Sequence, residues 1–124
     1  MDQDEITGAN FRVYRLVPGV VRCDHPQGAE VNAQDAHEVV EAIATLAGGE
    51  PTPVLVDLRG TRTVSREARR IFRESRAPSK LAMYVGSPLS RTIANFFIGV
   101  ARPDVPARVF TDLDDAQGWL LDDG

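Results

Sequence analysis

Apolar and polar residues alternate from Phe11 to Val17, with Phe11, Val13 and Arg15 facing one way and Arg12, Tyr14 and Leu16 the other. Pro18-Gly19 breaks the run and Val20 to Asp24 resumes it. A period of two on both sides of a Pro-Gly break predicts a two-stranded hairpin. The period then lengthens. Ala36, Val39, Val40, Ile43 and Leu46 form one stripe of a helix that Asn32 can cap and Gly48-Gly49 can stop. Pro53 to Leu58 is a short apolar run, the pattern of a strand covered on both faces.

A loop from Arg59 to Val64 is expected next, then a helix capped by Ser65 or Thr63, with Ala68, Ile71, Phe72 and Ser75 inward and arginines outward. Leu81 to Val85 is a second buried strand. Ser87-Pro88 pairs a capping hydroxyl with a proline at the first helical position, and starts a helix expected to run to about Gly99. Val105 to Phe110 is a last strand. Thr111 with Asp114 and Asp115 opens a final helix carrying Leu113, Ala116, Trp119 and Leu120. The order ββαβαβαβα predicts an α/β fold: a central, mostly parallel sheet with an edge hairpin and four helices. Residues 1–9 read as a flexible N-terminus and 10–124 as a single domain.

Composition narrows the class. The chain has 124 residues, 43% hydrophobic and 26% charged, which suits one core. No stretch approaches the roughly 18 apolar residues of a membrane helix, and the acidic start Met1 to Glu5 has the wrong sign for a targeting peptide. A cytoplasmic protein without membrane insertion is expected. One cysteine, Cys23, excludes an internal disulfide, and two histidines make a self-contained metal site improbable, so no metal or cofactor is expected.

The net charge of -4 hides an asymmetry. Arg59, Arg62, Arg66, Arg69, Arg70, Arg73, Arg76 and Lys80 face only Glu67 and Glu74, while Asp112, Asp114, Asp115, Asp122 and Asp123 crowd the C-terminus. A basic patch inside an acidic protein implies local anion binding or internal neutralisation; a nucleic-acid surface normally comes with a basic domain.

The segments Val54-Leu-Val-Asp-Leu-Arg-Gly60, Ser65-Arg-Glu-Ala-Arg-Arg-Ile-Phe72 and Gly86-Ser-Pro-Leu-Ser-Arg-Thr-Ile-Ala-Asn-Phe-Phe97, with Val109-Phe110 to Ala116 and Trp119-Leu120, resemble the STAS superfamily. That superfamily includes anti-sigma-factor antagonists and the tails of sulfate transporters, and the closer likeness is to small bacterial STAS-like proteins of unassigned role. The resemblance covers roughly residues 20 to 121 and implies a switch, scaffold or ligand-binding module. In the antagonists an Asp-Ser-Ser-Gly turn carries the phosphorylated serine. Here the same place falls on Ser65, Arg66, Glu67 and Ala68, so the phosphorylatable position is an arginine or a glutamate.

Two surfaces are candidates. Arg59 and Arg62 follow one central strand, while Ser87, Ser90 and Arg91 open the helix after the next, with Asn95 one turn on. If the strands are neighbours, guanidinium groups and free helix N–H groups converge on a site for a small anion, or else Ser87 merely caps. On the second helix Arg66, Arg69, Arg70 and Arg73 recur at three and four, a face for an acidic partner or one neutralised by the acidic final helix. The third helix, with Ile93, Ala94, Phe96, Phe97, Ile98 and Val100, is apolar almost all round, so Phe97 and Ile98 are expected in a homodimer interface or against a lipid-like ligand. Cys23 and His25 share a strand face but stand about 7 Å apart at the backbone, too far for a ready thiol–imidazole bond without a bend. Asp57 lacks the acidic pair of a phospho-acceptor receiver and is expected to bind a neighbouring loop. No Gly-rich phosphate loop or nucleophile elbow occurs. The sequence therefore points to a non-enzymatic module binding a protein partner or itself, with an anionic or lipid-like small ligand as the alternative.

Overall fold

The expected hairpin is present and sits inside a larger sheet. The computed structural model describes residues 4–76, 78–96, 98 and 105–122. In chain order the elements are β1 (Glu5–Thr7), β2 (Arg12–Val17), β3 (Val20–Asp24), β4 (Ala29–Val31), α1 (Ala33–Ala47), β5 (Thr52–Asp57), β6 (Thr61–Val64), α2 (Arg66–Glu74), β7 (Pro78–Tyr84), α3 (Pro88–Phe96), β8 (Ala107–Phe110) and α4 (Leu113–Leu121). A six-stranded sheet runs β1-β2-β3-β5-β7-β8, and β4 and β6 form a separate parallel pair. The β1-β2-β3 pairings are antiparallel; β3-β5, β5-β7 and β7-β8 are parallel.

Three short strands add to the expected order. Residues 1–9 were expected to be loose, yet Glu5 to Thr7 pair with Arg12 to Tyr14. Arg12 bonds Glu5 at 2.7 Å, so a cross-strand ion pair accompanies the ladder. The expected loop from Arg59 to Val64 contains β6, held by β4.

The helix ends follow the polar signals. Asn32 and Asp35 form a reciprocal capping box, and Gly48 closes α1 at φ 68°, a left-handed value that glycine adopts without a Cβ clash. Ser65, not Thr63, caps α2, its hydroxyl accepting from the Ala68 N–H. Asp112, not Thr111, caps α4.

Side-chain alternation divides the core between the two faces of the sheet. Val13, Val21, Cys23, Val54 and Met83 pack with Val39, Ile43 and Leu46 of α1 and Ala94 of α3. On the other face Val20, Leu55 and Ala82 pack with Ala116 and Leu120 of α4. α2 lies beside α1, joined through Val31, Ala36 and Ala68, and its Phe72 reaches the main core. Two elements thus end up on opposite sides: the arginine-rich α2 and the acid-rich α4.

Candidate functional site

The sequence makes α2 amphipathic in an unusual way, with few apolar residues inward and arginine filling the rest. Ala68 is fully buried, Ile71 and Phe72 are half-buried, Arg69 and Arg73 are half-buried, and Arg66 and Arg70 are exposed. Arg69 Nη1 donates to the Val64 carbonyl at 3.4 Å. Among the described residues Arg66, Arg70 and Arg73 have no ion pair. Neutralisation by the final helix is ruled out by position, because α4 packs on the opposite sheet face. The surface is a cationic face open to solvent.

The loops after β5 and β7 do meet. The Leu58 N–H donates to the Tyr84 carbonyl at 2.9 Å, and a Cβ on Gly86 would lie 3.2 Å from the Arg59 stem. Their polar groups, however, are committed to one another. Arg59 binds Asp57 through Nε and Nη2, the latter at 2.7 Å, and lies over the Tyr84 ring at 4.4 Å. Ser90 is fully buried; its hydroxyl accepts from the Gly86 and Ser87 N–H groups and donates to the Ser87 carbonyl. Ser87 Oγ in turn accepts from the Ser90 N–H at 3.0 Å, a reciprocal cap. Arg59 and Ser90 of the anion set read from the sequence thus have these polar groups engaged within the protein. Arg62, Arg91 and Asn95 are exposed, without a polar contact joining them among the described residues.

A polar network on the α4 side of the sheet escaped sequence reasoning. Arg22, buried, donates Nε to Asp24 at 2.6 Å and Nη2 to Asp57 at 3.0 Å; Tyr14 Oη donates to Asp24 at 3.0 Å. Asp57 also accepts from the Arg59 N–H, so it is tied to the following loop. Burial alone would raise the Asp57 pKa, but the hydrogen bonds and charges of Arg59 and Arg22 outweigh it and hold the carboxyl below the ordinary value. The available signal was the period-two run Arg22-x-Asp24 beside Asp57 on an otherwise apolar strand.

On the other face, β3, β5 and β7 form the floor of an apolar cavity of about 70 Å³ whose roof comes from α1, α2 and α3. Cys23 and His25 share its wall, with Sγ and Nε2 3.9 Å apart, closer than the extended-strand spacing implied. Burial pushes the Cys23 thiol well up and the His25 imidazole down, so both stay neutral and form no thiolate–imidazolium pair. Among the described residues no group of His, Cys, Asp or Glu is placed to hold a metal ion. Ile98 is half-buried against the main core, and Phe97 lies outside the described residues. No helix among the described residues is long and apolar enough to cross a membrane.

A family model described as a domain of unknown function, DUF7793, matches residues 14–122. Solved structures similar to this chain include the following three. An uncharacterised protein of the DUF3478 family with a SpoIIAA-like fold, from Shewanella loihica PV-4, superposes with a TM-score of 0.62 at 14% identity, covering 93% of this chain and 98% of that one. An anti-sigma factor antagonist from Mycobacterium paratuberculosis gives 0.62 at 16% identity, covering 90% and 93%. A protein of unknown function from Arthrobacter sp. FB24 is 35% identical over 87% of this chain and 96% of that one, with a TM-score of 0.35. No curated protein matches the sequence.

Proposed function

The chain belongs to the DUF7793 family and has a STAS-like fold, and on that premise we propose that it is a non-enzymatic, cytoplasmic interaction module that docks a protein partner, or a second copy of itself, through the arginine face of α2. The observation that carries this reading is that Arg66, Arg70 and Arg73 stand on the side of the sheet away from the acidic helix, without an ion pair among the described residues. Clustered guanidinium groups present forked donors for carboxylates, and arginine is enriched in interface anchors. Like charges at three and four spacing cost a few tenths of a kcal/mol each, and a partner's acidic groups would offset that cost. The candidate acid–base groups support a non-enzymatic role: Asp57 is saturated with donors and the Cys23 thiol is held neutral.

The helix carries Arg66 and Glu67 where the antagonists' turn has its serines, so the reading does not depend on a phosphorylation switch. Native mass spectrometry of protein isolated from its own host tests it. The wild-type chain is expected to retain a protein partner or a second copy, and Arg66→Glu/Arg70→Glu/Arg73→Glu is expected to lose it while keeping its circular dichroism. A bare monomer at tens of micromolar, or a variant that keeps its partner, would refute the reading.

A further inference from the structure

Protein interiors are packed with few voids larger than a water molecule. The cavity above β5 measures about 70 Å³, against the roughly 10–15 Å³ that one water needs on the same measure. Its walls are almost wholly apolar, with Val56 and Met83 below and Val40, Ile43 and Ile93 above. Water in such a space would lack the two to four polar partners it needs. Val56 and Ile93 are only half-buried, so the cavity reaches solvent and a longer molecule can extend out of it.

Among the described residues the polar side chains of the wall are Cys23, His25 and Ser75, and the imidazole offers an acceptor whose tautomer the structure defines. His25 Nδ1 stands 3.5 Å from the Asp57 carbonyl, which can only accept, so the proton belongs on Nδ1 and the lone pair on Nε2. Nε2 is the nitrogen on the Cys23 side, and its contact there is a thiol at 3.9 Å, a weak donor. Burial keeps the ring neutral, which preserves that lone pair.

We propose that this cavity binds a small amphiphile, an alkyl chain bearing one hydroxyl, with the hydrocarbon against Val56 and Met83 and the hydroxyl donating to His25 Nε2. An apolar cavity of about 150 Å³ takes up benzene in other proteins, so roughly half that volume suits an unbranched chain end. The site lies between the sheet and its helix layer, on the inner side of α2, where Phe72 rather than the arginines lines it.

Methyl NMR of the full chain titrated with 1-hexanol, and separately with n-hexane, tests the proposal. Saturable shifts are expected at Val40, Val56, Met83 and Ile93. His25→Phe is expected to weaken hexanol about fivefold, the size of one net hydrogen bond, and to leave hexane unchanged. Val40→Phe and Val56→Phe fill the space from opposite walls, and each is expected to weaken hexanol at least tenfold. Shifts that do not saturate, equal effects of His25→Phe on both probes, or filled variants that bind as wild type would overturn it. If both filled variants unfold, the wild-type titration and the His25→Phe comparison decide.

Discussion

Replacing Asp57 by alanine strands Arg22 inside the sheet. The Arg22 and Asp57 side chains are only 10% and 9% exposed, whereas Arg59 is 48% exposed. On loss of the carboxylate Arg59 turns to water, and its own ion pair contributes no more than about 1 kcal/mol. Arg22 has no such exit. Breaking a buried pair from one side costs about 3–5 kcal/mol, but Arg22 retains Asp24 at 2.6 Å, so about half of that applies. The Arg59 N–H also loses its acceptor, worth about 1 kcal/mol. The expected destabilisation is about 3–4 kcal/mol, read as a lower urea midpoint with unchanged m-value and a Tm fall of about 10–15 °C. Removing both charges should cost less: Arg22→Met/Asp57→Leu is expected to recover the part due to the stranded guanidinium, leaving about 1–2 kcal/mol for the lost Arg59 N–H acceptor and ion pair. An Asp57→Ala variant within 1 kcal/mol of wild type, or a double variant as unstable as the single one, would refute the reasoning.

Thr61 Oγ1 is buried without a hydrogen-bond partner among the described residues, so Thr61→Val is expected to be neutral or to stabilise by about 1 kcal/mol in urea unfolding; a clear loss of stability would show that the hydroxyl is satisfied. Ser65→Ala removes the α2 cap and is expected to cost about 1 kcal/mol, whereas Ser65→Asp keeps an acceptor and most of the stability. His25 titrates below its ordinary value in the folded chain, so the unfolded chain binds more protons and stability should fall as pH drops through about 6.5, levelling off below the folded pKa. The same urea series on His25→Gln should lose that step; an unchanged step would assign it elsewhere. Asp57, whose pKa is depressed, adds stability above its ordinary value that is lost on further acidification.

Elements whose signal is local were legible in the residues. The Pro18-Gly19 hairpin and α1, with Asn32 at one end and Gly48 at the other, each depend on neighbours in sequence. The α/β architecture followed from their order, and the STAS-like fold that the resemblance implied is the observed one. β1, β4 and β6 were not legible because three or four residues carry too little period, and β4 and β6 are strands only through each other, some thirty positions apart. Arg22 looks like a surface residue until Asp57 arrives from β5, 35 positions away. The converging loops were anticipated, but not that Ser87 and Ser90 would cap each other and Asp57 would occupy Arg59. The cavity is a property of how helices sit on a sheet, and no residue pattern announces a space.

Lys80, the only lysine of the chain, donates its ammonium to the carbonyls of Trp119 and Asp122 at the end of α4 and lies 5.1 Å from the centre of the Trp119 ring. Cations are favoured at a helix C-terminus, and among the described residues α4 is the helix packed on Leu55 and Ala82. Any reagent or enzyme that acylates side-chain amines therefore has a single internal target, and it is the clasp of the helix that shields this face of the sheet. Acetylation there would remove the charge and its donors together, loosening α4 and baring apolar strand surface. Amine coupling to a sensor chip engages this point as well as the α-amino group, so immobilisation through an added terminal tag is the chemistry that leaves the fold as it is.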